Sequence, residues 1–255
     1  MHVDQLFDQT LNHMEKTVEA LATQVPQPQQ VSYKDGFVFR HVEKTAQQAI
    51  VQKLARLVSS LHATRLLWSH GFVQEQGAMQ RILDELLEDI TFLAFGIIFE
   101  DWTGLHDTYL EAFFEEEFDS GSAMTSSQRR PMIPRKKIRS WIASVEGVQE
   151  PSTGREATRT LSKAYSGYVH AASPHIMEMF GGNPPGFHMK GMRGTPRQAE
   201  HRADLWNYFY RGVLTFAFAV KALGNDEMFN SIRNFASGFL QSSGDDFLSK
   251  EWGEI

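Results

Sequence analysis

The chain contains no cysteine, which excludes disulfides, thiolate metal sites and a cysteine nucleophile. Long apolar runs are also missing. The two longest, residues 92–99 and 213–220, fall far short of the ~20 residues a membrane-spanning helix needs, and a charged residue follows each. The N-terminus is polar and acidic rather than basic then apolar, so no cleavable signal is expected. There is no basic excess either: 25 Lys and Arg face 31 Asp and Glu, for a net charge of −6. That balance argues against a general nucleic-acid coat, while a local basic patch stays open. These absences predict a cytoplasmic chain with no membrane partner.

Catalytic and cofactor signatures are absent too. No G-x-S-x-G elbow, P-loop or dinucleotide fingerprint is present. The glycine-rich stretch 182–194 lies between expected helices, not between a strand and a helix. A helix-borne metal centre needs paired ligands on one face, as in E-x-x-H or H-x-x-x-H. No glutamate has a histidine three residues later, and no two histidines are three or four apart. Neither metal nor cofactor is expected.

What is present is ordinary globular material, 42% hydrophobic and 22% charged over 255 residues. Helical periodicity dominates and predicts an all-α, multi-helix bundle of about seven or eight helices with an N-terminal helical arm. Phe7, Leu11, Met14, Val18 and Leu21 make a narrow seam along a first helix over 4–24. Such a seam suits peripheral packing or a homodimer contact. Pro26 and Pro28 mark a linker, which divides residues 1–28 from a single helical domain over 29–255. Residues 31–39 read as extended or irregular, with a turn at Gly36. Further helices are expected over 41–70, 73–99, 101–118, 134–145, from about 153, 196–223 and 226–241.

Two stretches invite a functional reading. In the helix over 73–99, the line Ala78, Arg81, Glu85, Glu88, Phe92, Phe95, Phe99 carries charge into turns that are apolar all round. Arg81, Glu85 and Glu88 therefore either emerge into solvent or sit together partly buried, where Arg81 and Glu85 can pair. The second stretch is residues 165–197. It opens with Tyr165, Tyr168 and His170, breaks at Pro174, and continues through a Gly/Pro loop bearing His188, Lys190, Arg193 and Arg197. Histidine at such a break can act as a general base, and cations beside a helix start favour anions. The basic run 129–139 offers a phosphate site or offsets the acidic run at 115–119.

A helix with R-x-x-x-E (Arg81, Glu85), followed by a helix ending Tyr168-Val169-His170 near Ser173-Pro174, resembles a group of bacterial all-helical proteins of uncharacterised function. Those are similar in turn to the HEPN (higher eukaryotes and prokaryotes nucleotide-binding) superfamily. Over residues 76–175 this resemblance implies a helical framework. It also implies RNase or defence activity, which many HEPN members carry on an R-x4–6-H motif across a dimer interface. Here that spacing occurs at Arg65–His70 and Arg56–His62, without the usual polar residue after the arginine, while Arg159 lies eleven residues before His170.

The expectation that follows is a binding module. A small anionic ligand or nucleotide would occupy a cleft walled by Arg81, Glu85, Glu88, Tyr165, Tyr168 and His170, gated by 181–197. The alternatives are an HEPN-like RNase acting on nucleic acid through His170 or His70, and a helical scaffold dimerising through the Phe7–Leu21 seam.

Overall fold

The computed structural model describes residues 3–33, 35–116, 124–127, 133–145 and 165–242. They form a mainly helical bundle with two short antiparallel strand pairs. In chain order the elements are α1 (Val3–Ala22), β1 (Gln29–Tyr33), β2 (Gly36–Arg40), α2 (Ala46–Ser69), α3 (Val73–Ile98), α4 (Gly104–Phe114) and α5 (Arg135–Val145). There follow α6 (residues 165–169), α7 (Ser173–Met177), β3 (Phe180–Gly181), β4 (Gly186–Phe187), α8 (Pro196–Ala222) and α9 (Asp226–Ser242). Among the described residues no helix is long and apolar enough to cross a membrane.

Helix boundaries follow local chemistry. Thr45 and Gln48 cap α2 reciprocally: the Thr45 hydroxyl accepts from the Gln48 N–H, and the Gln48 carboxamide accepts from the Thr45 N–H. That box starts α2 at Ala46, later than periodicity alone suggests. Thr195 caps α8 and Pro196 fills its first position, where a missing N–H costs nothing. At α4 the capping partner of Thr103 is His106, whose Nδ1 accepts from the Thr103 N–H at 3.1 Å. The His106 ring is buried and stacks on Phe92 at 3.9 Å; burial lowers its pKa, which favours the neutral form this bond requires.

α3 is central. It packs on α2, α8 and α5, while α1 lies against α2, α8 and α9. Leu83, Ile90, Phe92 and Leu93 are fully buried, and most of the second half of α3 is enclosed, with Thr91, Ile97 and Ile98 half-buried; Ile82 is 40% exposed. The seam on α1 faces inward: Phe7, Leu11, Met14 and Leu21 are buried in the common core, and Val18 packs half-buried against it. Of the two readings of this seam, packing within the chain is the one the residues follow: the stripe fits the groove between α2 and α8, which leaves it enclosed and not presented to a second copy. The stretch at 31–39 is a regular hairpin, with Val31 opposite Val38. Its outer face leaves Phe37 and Phe39 exposed, ring to ring at 5.6 Å.

The Gly/Pro loop is anchored at the α2–α3 turn. Gly71 has φ +78°, and a Cβ there would lie 2.2 Å from the Arg193 backbone nitrogen. Only glycine allows that approach. The Met192 N–H then donates to the Gly71 carbonyl at 2.7 Å.

Candidate functional site

α3 carries four carboxylates within two turns, Asp84, Glu85, Glu88 and Asp89, and all but Glu85 are buried. Ionised carboxylates inside a protein need partners, and three neighbouring helices supply them. Lys53 of α2 donates to Asp89 at 2.8 Å. Arg135 of α5 bridges Asp89 and Glu85, and Arg139, one turn later on the same face, donates to Glu88 at 2.7 Å. Arg211 of α8 donates to Asp84 at 2.9 Å, joined there by the Tyr208 hydroxyl at 3.0 Å. Arg81 pairs with Glu85 at 2.7 Å across one helical turn. Among the described residues, five cations (Lys53, Arg81, Arg135, Arg139, Arg211) thus meet four carboxylates.

Adjacent acids on this ladder respond in opposite ways. Burial raises the Glu88 carboxyl above its usual range even though Arg139 sits beside it. Burial pushes Asp89 up as well, but Lys53 and Arg135 outweigh it and hold that carboxyl below its ordinary value.

A cleft of about 620 Å³ opens beside this network, between α2, α3, α4 and α5. That volume is typical of small-molecule sites. Lys53, Glu85, Asp89 and Arg135 form its charged wall; Phe113, Ile133 and Ile138 supply apolar surface. The Lys53 ammonium lies 4.8 Å from the Phe113 ring centroid and 5.5 Å from that of Tyr109, within cation–π range.

A second polar zone runs along the α3–α8 seam. Gln76, Gln80, Asp84 and Glu88 repeat at four-residue steps and are all buried. Gln76 donates to the His201 carbonyl at 3.1 Å, whereas neither end of the Gln80 carboxamide makes a hydrogen bond among the described residues. Tyr165 and Tyr168 close this seam. A Cβ on Gly77 would lie 2.6 Å from the Tyr168 ring, so the missing side chain is what seats that tyrosine on α3. The Tyr168 hydroxyl donates to Glu178 at 2.9 Å. The Tyr165 ring stands 6.2 Å from that of Tyr168 and 5.9 Å from that of Tyr208. Burial drives all three hydroxyls well above the ordinary tyrosine range, which makes them neutral donors.

The expected site residues therefore divide. Arg81, Glu85 and Glu88 belong to one ion network, and Tyr165 and Tyr168 pack on the same helix. His170 is exposed past the end of α6. His188 is half-buried beside Gly182 within the β3–β4 hairpin, Lys190 is exposed, and Arg197 pairs with Glu200 at 2.7 Å. Arg193 is exposed on a separate groove of about 950 Å³, shared with His62, Arg65 and Trp68. In that groove Arg65 is bound to Asp8, and His62 meets Glu15 at 2.6 Å. His70 turns its ring to the Leu66 carbonyl at 2.9 Å. The loop docks at Gly71, and eight residues of α3, about 12 Å of helix rise, separate Val73 from Arg81. Arg129, Arg130, Arg159 and most of the helix expected from 153 lie outside the described residues.

No motif or spacing in the sequence marks Lys53 or Asp89, and Arg135 and Arg139 stand there only as part of a basic run. The available signal was a lone charge on a buried stripe. Lys53 follows Ile50 by three residues and Ala49 by four, and Asp89 stands beside Ile90. No protein-family profile, curated protein or solved structure matches the chain.

Proposed function

We propose that this chain is a small-molecule binding protein whose site is the cleft between α2, α3, α4 and α5, and that its ligand is an anion. The observation that carries the reading is the convergence of Lys53 and Arg135 on one cavity wall, held there by the buried Asp89 carboxylate. Cations fixed by packed helices are oriented before a ligand arrives, which limits the ordering cost of binding. Arg135 keeps 29% of its side chain accessible while its guanidinium is paired with Asp89 and Glu85. Glu85 lies on the wall itself, where Arg81 pairs with it, and Glu88 supports the wall through Arg139. Tyr165, Tyr168 and the basic loop then act in packing, away from this ligand.

A panel of anions in a thermal-shift assay tests the proposal. Stabilisation of the wild-type chain is expected, since a ligand at 100 times its Kd adds about 2.7 kcal/mol. The shift should disappear in Arg135→Gln. If no anion at millimolar concentration raises the melting temperature, the cleft is not an anion site.

The RNase reading has less to support it. Arg65 and His62 are each held by an acidic residue of α1, and His170 stands apart from any described carboxylate–arginine network. Cleavage of RNA by the wild type that fails in His170→Ala or His70→Ala would revive it.

A further inference from the structure

A second cavity lies between α1, α8 and α9 and shares no lining residue with the cleft beside Asp89. We infer that it binds a monocarboxylate with an unbranched apolar tail about the length of octanoate. The tail would lie between the three helices, and the carboxylate would meet Lys16.

The cavity follows from how α9 packs. Ala236 and Phe239, towards its C-terminal end, are buried against the core, whereas Met228, Ile232 and Phe235 on the same apolar stripe are only half-buried. The first turns of α9 therefore leave about 360 Å³ over Met14 of α1 and Val213 and Phe216 of α8, all three buried. That volume falls among small-molecule sites, and at ~30 Å³ per water-sized unit it holds roughly twelve non-hydrogen atoms. Met14 and Met228 have flexible thioether side chains that can adapt to a chain-like guest.

The polar lining sets the head group. Thr10 and Thr17 face the cavity, but their hydroxyls donate to the Leu6 and His13 carbonyls of their own helix at 2.7 and 2.8 Å. Neither keeps a proton for a ligand. Among the described residues no carboxylate lines the cavity, so nothing there repels an anion or attracts a cation. Lys16 is exposed at its edge and makes no ion pair among the described residues, while the neighbouring Glu15 is engaged by His62 at 2.6 Å. Lys16 differs in this from Lys53 and Arg135, whose charges carboxylates already take up. One unpaired ammonium on a flexible stem matches one carboxylate, and the tail releases water held against Met14 and Phe216.

Titration of the full chain with octanoate, butanoate, 1-octanol and octyltrimethylammonium, followed by calorimetry and by methionine-methyl spectra, tests this inference. Octanoate should bind and move the Met14 and Met228 methyl signals while that of Met192, on the Gly/Pro loop, stays fixed. Butanoate should bind at least about thirtyfold more weakly, since each fully buried methylene is worth about fourfold. 1-Octanol should bind about fivefold more weakly, and the quaternary ammonium not measurably. Lys16→Gln should lower octanoate to the affinity of 1-octanol, and Ser231→Trp, which fills the cavity from an exposed position, should abolish binding. Arg135→Gln should change neither. If 1-octanol or the ammonium binds as tightly as octanoate, the carboxylate assignment is overturned. Octanoate binding that is lost in Arg135→Gln and kept in Ser231→Trp would overturn this site in favour of the cleft beside Asp89. Failure of octanoate to bind would overturn the inference and leave the reading of that cleft as it stands.

Discussion

The Lys53 ammonium lies 2.8 Å from the Asp89 carboxylate, and both side chains are almost wholly buried, at 11 and 5% exposure. This pair ties α2 to α3, and Arg135 adds α5 to the same carboxylate. A buried charge is tolerable only while its partners remain. α2, α3 and α5 therefore each depend on a side chain from another.

Asp89→Asn should consequently destabilise strongly. Removing one member of a buried ion pair costs about 3–5 kcal/mol, because the other charge is left unpaired. Urea unfolding of the wild type and variant measures the difference. A change below about 1 kcal/mol would mean that Lys53 and Arg135 find other partners.

The opposite shifts of Glu88 and Asp89 predict opposite pH dependences. Glu88 is raised, so its contribution to stability is complete below the ordinary glutamate value of 4.5 and is lost as pH rises through its folded value. Asp89 is lowered, so its contribution is present above the ordinary aspartate value of 3.8 and is lost as pH falls through its folded value. The stability gap between wild type and Glu88→Gln should narrow from pH 4 to pH 7, and that between wild type and Asp89→Asn should widen from pH 2 to pH 5. Melting temperatures across pH 2–7 check both signs.

The long helices were legible in the sequence because they repeat their apolar residues at helical spacing, and α3 could be read as the central one from its all-apolar second half; the short α7 was not, because Pro174 reads as a break. The Arg81–Glu85 pair was legible for the same reason, since both members sit four residues apart on one helix. Arg135 and Arg139 were not, because their partners lie 46 and 51 residues away, and only the packing of α5 on α3 brings them together. The basic run 129–139, whose second half opens α5, therefore reads as a phosphate site or as an offset to the acidic run. Phe7 and Leu11 left two readings open, packing within the chain or a dimer contact, because the groove their narrow stripe fills is created by two other helices. The Tyr168 seat was invisible because the deciding residue, Gly77, has no side chain to attract attention.

Gly77→Ala should unseat Tyr168. The new methyl would lie 2.6 Å from the ring, and overpacking of this kind costs about 1–3 kcal/mol. Thermal unfolding should register the loss, and Tyr168→Leu in the same chain should recover part of it. An additive double variant would show that the two residues do not meet.

Deleting residues 1–28 should abolish cooperative folding rather than separate a dimer. Leu6, Phe7, Leu11, Met14 and Leu21 are all buried. At about 1.5–3 kcal/mol each, their burial rivals a net stability of about 5–15 kcal/mol. Circular dichroism melts of the shortened chain test this; a sharp transition with the helical signal preserved would contradict it.

The central claim concerns where a ligand goes. Nitrogen-15 spectra of the arginine Nε–Hε groups, recorded while acetate or inorganic phosphate is added to the full chain, address it most directly. The account predicts that the Arg135 signal moves progressively and saturates while Arg65 and Arg193, on the separate groove, stay fixed. Movement of Arg65 or Arg193 with Arg135 unchanged would place the ligand elsewhere and contradict it.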